Sequence, residues 1–129
     1  MAEPGQGFYP YQAAIDAYGN GGFRFAGMSH RGSILALPTG MHAWDVTEAA
    51  GVTLASLASV LDAADSIDVL LIGLGTDIAG LDKAIRTAFR ERQVIVEAIA
   101  TGGAVRTYNI LLAEERQVAA ALIAVDNPR

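Results

Sequence analysis

Val69, Leu70, Leu71 and Ile72 run straight into Gly73-Leu74-Gly75-Thr76-Asp77, the pattern of a buried strand breaking into a glycine turn. Further on, Thr101-Gly102-Gly103-Ala104-Val105-Arg106-Thr107-Tyr108-Asn109 reads as a glycine turn that opens a helix. One helix and one strand separate the two stretches. Both turns therefore fall on the same edge of one parallel sheet, where open α/β sheets place their binding sites.

The pattern between and around these turns predicts the elements. Leu54, Leu57, Ala58 and Leu61 follow the i, i+3, i+4, i+7 spacing of a helical face, with Ser56, Ser59 and Asp62 turned away. Thr53 is in place as its N-cap, and Val52 with Leu57 has the spacing of a hydrophobic staple. A second helix carries Leu81, Ala84, Ile85, Ala88 and Phe89 inward, with Asp82, Lys83, Arg86 and Arg90 outward. Residues 94–96 read as a short buried strand. A third helix over residues 103–115 turns Ala104, Val105, Tyr108, Leu111 and Leu112 inward. Residues 118–125 are almost unbroken in apolar character, as a central strand covered on both faces must be.

The first third reads as strands instead. Residues 14–18 and 23–28 flank Gly19-Asn20-Gly21-Gly22, which tolerates the positive φ of hairpin turns. A turn at His30-Arg31-Gly32 leads into residues 33–37, Pro38-Thr39-Gly40 ends that strand, and a short strand follows around residues 44–46. The fold class is α/β: a single three-layer domain, an N-terminal antiparallel β-meander followed by β-α-β-α-β around the central sheet. Connectivity makes the last three strands parallel, with right-handed crossovers. Residues 1–12, with Pro4, Gly5, Gly7 and Pro10, form a flexible N-terminal segment, and residues 13–126 form the domain.

At 129 residues the chain is sized for one domain, burying roughly 65–70% of its unfolded surface. With 52% apolar and 18% charged residues it is globular rather than disordered. A net charge of −5 argues against wholesale binding to nucleic acid or to an anionic membrane. The absence of cysteine excludes disulfides, thiol catalysis and cysteine metal sites. The start of the chain lacks the basic and apolar regions of a secretory signal. The longest apolar run, residues 118–125, falls far short of the ~20 residues of a membrane span. The expected location is the cytoplasm, without direct membrane insertion.

Catalytic motifs are lacking. Gly73-Leu74-Gly75 starts a dinucleotide fingerprint, but Ile78 stands where the third glycine is needed and the chain is too short for two mononucleotide halves. Glu97, ending the next strand, sits where an acidic ribose ligand would belong, yet a tight strand-to-helix turn accounts for the glycines alone. Gly80-Leu81-Asp82-Lys83 lacks the Gly-Lys-Ser/Thr of a phosphate-binding loop. His30 and His42 have no metal-ligand spacing, and Ser29 and His30 point to opposite faces of a strand. Glu114 and Glu115 diverge by about 100° on a helix and cannot act as a pair. No metal, cofactor or enzymatic activity is implied.

Two features invite a ligand or partner. Two helix N-termini near Asp77 and Thr101 face one sheet edge, with Arg106 in the first turns of the third helix and Asn109 beside it. Free N–H groups, the helix dipole and a guanidinium together favour a carboxylate or phosphate in a cleft of Gly73, Gly75, Thr76, Asp77, Thr101, Arg106 and Asn109. In the competing reading Asp77 caps the second helix, and Arg106 and Asn109 tie down loops. The second feature is the stripe of Lys83, Arg86 and Arg90, which is either a partner-docking face or a solvated one.

Motifs in a fixed order also carry a resemblance. Ile15-Asp16-Ala17-Tyr18-Gly19 with Gly21-Gly22-Phe23, Gly32-Ser33-Ile34-Leu35 with Pro38 and Trp44, Leu71-Ile72-Gly73-Leu74-Gly75, and Thr101 with Ala104-Val105-Arg106-Thr107-Tyr108-Asn109 follow one another. Leu112, Glu115-Arg116 and the apolar stretch from Val118 complete the series. The chain resembles a bacterial member of the complex I assembly factor 3 family, a domain-of-unknown-function family, across residues 15–125. That resemblance implies a three-layer fold around a mixed sheet with at least one antiparallel strand, and no established cofactor or enzymatic activity. It also implies a protein partner, since mitochondrial relatives act in assembling NADH:ubiquinone oxidoreductase and bacterial relatives are often encoded near membrane-protein insertion machinery. Leu74 departs from the small polar residue of many relatives. The expected function is that of a non-enzymatic protein-binding or assembly factor; the alternative is a small-molecule binding protein using the sheet-edge cleft for a carboxylate or phosphate.

Overall fold

The computed structural model describes residues 8–76 and 80–127. In chain order the strands are β1 (Phe8–Tyr9), β2 (Ala17–Gly19), β3 (Gly22–Phe25), β4 (Met28–Arg31), β5 (Ser33–Leu37), β6 (Gly40–Trp44), β7 (Val69–Gly73), β8 (Ile95–Ile99) and β9 (Val118–Leu122). Helix α1 (Ala58–Asp62) precedes β7, α2 (Lys83–Arg90) joins β7 to β8, and α3 (Thr101–Ala113) joins β8 to β9. Six strands form a mixed sheet in the order β1-β6-β5-β9-β7-β8, and β2-β3-β4 form a separate antiparallel sheet. The last three strands are parallel, as their connectivity requires, while β5 runs antiparallel to β9 with Leu35 opposite Ala121.

Alternation along these strands divides the core in two. Leu35, Leu37, Leu70, Ile72, Ala119, Ala121 and Ile123 face Leu57 and Val60 around α1 and Ile85 and Phe89 of α2. Ile34, Ala36, Leu71, Val118, Ala120 and Leu122 face Ala104, Val105 and Tyr108 of α3 and Phe23 and Phe25 of the small sheet. The result is three layers. Every residue of β9 is buried because the strand lies between β5 and β7 with both faces covered.

Helices α2 and α3 end alike. The Val94 N–H reaches the Phe89 carbonyl at 2.9 Å and the Gln93 N–H the Arg90 carbonyl at 2.9 Å. After α3, Arg116 reaches Leu111 at 3.0 Å and Glu115 reaches Leu112 at 2.9 Å. These are Schellman caps, with Gln93 (φ 64°) and Glu115 (φ 60°) in the left-handed position that glycine usually takes.

Several boundaries depart from the sequence pattern. The strand expected over residues 23–28 is a hairpin, because Ala26 (φ 51°) and Gly27 (φ 75°) turn the chain between Phe25 and Met28. Of residues 14–18 only Ala17 and Tyr18 lie in a strand, and the strand expected around residues 44–46 is β6, which ends at Trp44. The first helix shrinks to Ala58–Asp62; Leu54 and Ala58 are exposed, while Leu57 and Val60 are buried. Thr53 and Ser56 exchange hydrogen bonds, each side-chain oxygen accepting from the other's N–H at 3.0 and 2.9 Å, so the capping arrangement forms one turn ahead of α1. In α2, Ile85 and Phe89 point inward but Ala84 is exposed. The segment expected as a buried strand is the edge strand β8, on which Ile95 is 64% exposed.

Candidate functional site

At the C-terminal edge of the large sheet, β7 meets the first turn of α3. Gly73 is required there: a Cβ on it would lie 2.9 Å from the Thr101 Cα and 3.0 Å from its Oγ1. The next turn residue but one, Gly75, has φ +77°, a conformation that side chains resist. The buried Thr101 hydroxyl joins three segments. It donates to the Ile123 carbonyl at 2.7 Å and accepts from the Gly75 N–H at 2.9 Å, while its own N–H reaches the Gly75 carbonyl at 2.9 Å. Leu74 N–H to Ile99 and Ile123 N–H to Gly73 close the remaining backbone pairs at 2.8 and 2.9 Å.

The residues singled out from sequence separate into groups. Gly75 and Thr76 line a hollow of about 420 Å³ together with Glu48, Ala49, Gly80 and Ile123. Gly73 and Thr101 are buried beneath it and are not among its lining residues. Asn109 lies toward the start of the chain: its Oδ1 accepts from the Ile15 N–H and its Nδ2 donates to the Ile15 carbonyl, both at 2.8 Å. Beside it the Tyr108 hydroxyl donates to the Ala13 carbonyl at 2.7 Å, and Gln12 Nε2 donates to the Val118 carbonyl at 2.7 Å. Burial pushes the Tyr108 phenol well above the ordinary tyrosine range, with a hydrogen bond to Gln12 opposing the shift. Arg106 is exposed, its Nη2 folded back toward Gly103. Asp77 and Ile78 lie outside the described residues, and Asp82 caps α2, its Oδ1 accepting from the Ala84 N–H at 3.0 Å.

Lys83, Arg86 and Arg90 are all exposed on α2, but they are not equivalent. Arg86 Nη1 donates to the Val96 carbonyl at 3.0 Å, covering an acceptor on the open edge of β8. His30 is buried with Nε2 3.1 Å from the Ser33 carbonyl; a carbonyl only accepts, so Nε2 carries the proton. Ser33 in turn accepts from the Ala124 N–H at 2.9 Å. His42 Nε2 lies 3.0 Å from the Thr39 hydroxyl, and burial lowers its pKa. Among the described residues no group of three or more His, Asp and Glu is placed to hold a metal ion. Missed by sequence reasoning were the Gln12–Ile15 strap and the Ser33–His30 pair, whose partners lie up to 106 residues away.

Residues 15–123 match the family of proteins of unknown function designated DUF498/DUF598. The chain belongs to that family. An uncharacterized protein of Rhodobacter capsulatus is 38% identical over 109 residues, covering 84% of this chain and 82% of its own length. NADH dehydrogenase (ubiquinone) 1 alpha subcomplex assembly factor 3 of Xenopus tropicalis is 32% identical over 109 residues, 84% of this chain and 60% of its own length. This chain thus spans less than two thirds of the assembly factor. A crystal structure described as that of an outer membrane protein from Bartonella henselae superposes with a TM-score of 0.88 at 48% identity, over 92% of this chain and 99% of that one. Among the described residues of this family member no helix is long and apolar enough to cross a membrane.

Proposed function

We propose that the chain is a non-enzymatic, protein-binding assembly factor acting on a respiratory or other membrane complex. The observation that carries this reading is its similarity to animal assembly factors of NADH dehydrogenase, 32% identity over 84% of the chain in the Xenopus protein. The buried Thr101 hydroxyl and the Asn109 amide are both bonded to backbone groups rather than turned toward an open cleft. The exposed Lys83 and Arg90 on α2 are the proposed docking residues, with Arg86 contributing from its place on the β8 edge. Deleting the gene in its native host should lower the amount of fully assembled NADH:ubiquinone oxidoreductase on native gels. Wild type should restore it, and a Lys83→Glu/Arg90→Glu chain of unchanged melting temperature should not. Normal assembly in the deletion strain refutes the reading.

The second reading places a carboxylate or phosphate at the sheet edge, against Gly75 and Thr76, with Arg106 exposed on the first turns of α3. The 420 Å³ hollow containing Gly75 and Thr76 favours it. Titration with phosphate or citrate should then shift the Gly75, Thr76, Gly102 and Gly103 amides together, less so in Arg106→Ala. Amides that stay still for both anions remove this site.

A further inference from the structure

The sheet of β2, β3 and β4 buries only one face. Phe23 and Phe25 enter the core and His30 is 7% exposed. By the two-residue alternation, the opposite face carries Ala17, Gly19, Gly22, Arg24, Ser29 and Arg31. Register places Arg24 between Ala17 and Ser29, and Gly22 between Gly19 and Arg31. The two arginines are diagonal neighbours, about 7–8 Å apart at the backbone. Gly22 and Ser29 occupy the other two corners of the square they define, Gly19 lies beyond Gly22 on β2, and the face forms a hollow of about 510 Å³. Neither guanidinium has an ion pair or side-chain hydrogen bond among the described residues, although the chain as a whole carries a net charge of −5.

We propose that this floor docks an extended acidic segment of a partner polypeptide, with two carboxylates separated by one residue. Alternate side chains of an extended strand lie about 6.6–6.8 Å apart on one face, which matches the diagonal of Arg24 and Arg31. Each guanidinium then meets one carboxylate in a charge-assisted pair. The glycine floor lets the segment lie close to the sheet. This inference deepens the partner-binding reading and rests on it for the class of ligand.

The probe is a dye-labelled serine-rich peptide with two aspartates separated by one serine, titrated into the isotope-labelled full chain at low salt. Amides of Gly19, Gly22, Arg24, Ser29 and Arg31 should shift together. Arg24→Glu/Arg31→Glu should weaken binding about tenfold or more, reversal of the exposed Arg116 after α3 (Arg116→Glu) should leave it unchanged, and a peptide with adjacent aspartates should bind less tightly. Should the reversal variant unfold, Arg24→Gln/Arg31→Gln provides the same comparison with the melting temperature as a check. Shifts scattered over other surfaces, or equal binding by the reversal variant, overturn the proposal. So does inorganic phosphate shifting the same amides when the peptide does not, which assigns a small-anion site instead. A silent peptide with oxidoreductase assembly still lost on gene deletion refutes this floor alone; a bound peptide with normal assembly refutes the assembly reading alone.

Discussion

Thr101→Val tests whether one hydroxyl holds the sheet edge together. The replacement keeps the shape of a fully buried side chain and removes only its hydrogen bonds. It leaves the Gly75 N–H and the Ile123 carbonyl without their side-chain partner, at sites that water does not reach. Each buried orphan costs about 1–3 kcal/mol, so the pair should cost about 2–5 kcal/mol once some relaxation is allowed. A domain of this kind has only about 5–15 kcal/mol in total. At this chain length the melting temperature should fall by roughly 8–20 °C. Urea unfolding would give the free energy directly, and amide exchange at Gly75 would report the local loss. Thr101→Ser, which retains the hydroxyl and sheds a methyl, should cost only about 1 kcal/mol. The reasoning fails if valine lies within about 0.5 kcal/mol of the parent, or if serine costs as much as valine.

Gly73→Ala forces a Cβ to 2.9 Å from the Thr101 backbone and should cost about 1–3 kcal/mol by denaturant unfolding; an unchanged midpoint would mean the junction is looser than the structure shows. Glu115→Gly relieves the left-handed residue after α3 and should raise stability by up to about 1 kcal/mol, again by urea midpoint. Tyr108→Phe removes a phenol whose folded pKa is raised. The stability of the parent should therefore hold below the unfolded tyrosine pKa of about 10 and fall as pH climbs from there toward the folded value, whereas the phenylalanine chain should lack that share of the alkaline decline. Parallel alkaline limbs for the two chains would contradict the assignment.

The elements that were legible in the sequence are those whose burial is written into their own residues. The apolar run from Val118 announces a strand covered on both faces, and β9 is that strand because α3 and the α1–α2 layer press on its two sides. Val69 to Ile72 reads the same way. The same inference fails for Val94-Ile95-Val96, equally apolar, because whether such a run is central or marginal depends on the strand order. No local pattern carries that order: α2 and α3 fold back so that β9 inserts between β5 and β7, leaving β8 outermost and Ile95 exposed. Turn chemistry failed for a different reason, since Ala26, Gln93 and Glu115 occupy positive φ without being glycine or asparagine. In the candidate site, the glycines at 73 and 75 correctly located a junction, because close approach and positive φ leave marks on composition. What the Thr101 hydroxyl bonds to leaves none, since Ile123 lies 22 residues away. A hydroxyl at a helix opening looks the same in sequence whether it faces a ligand or a carbonyl, and only the packing of β9 against β7 decides which.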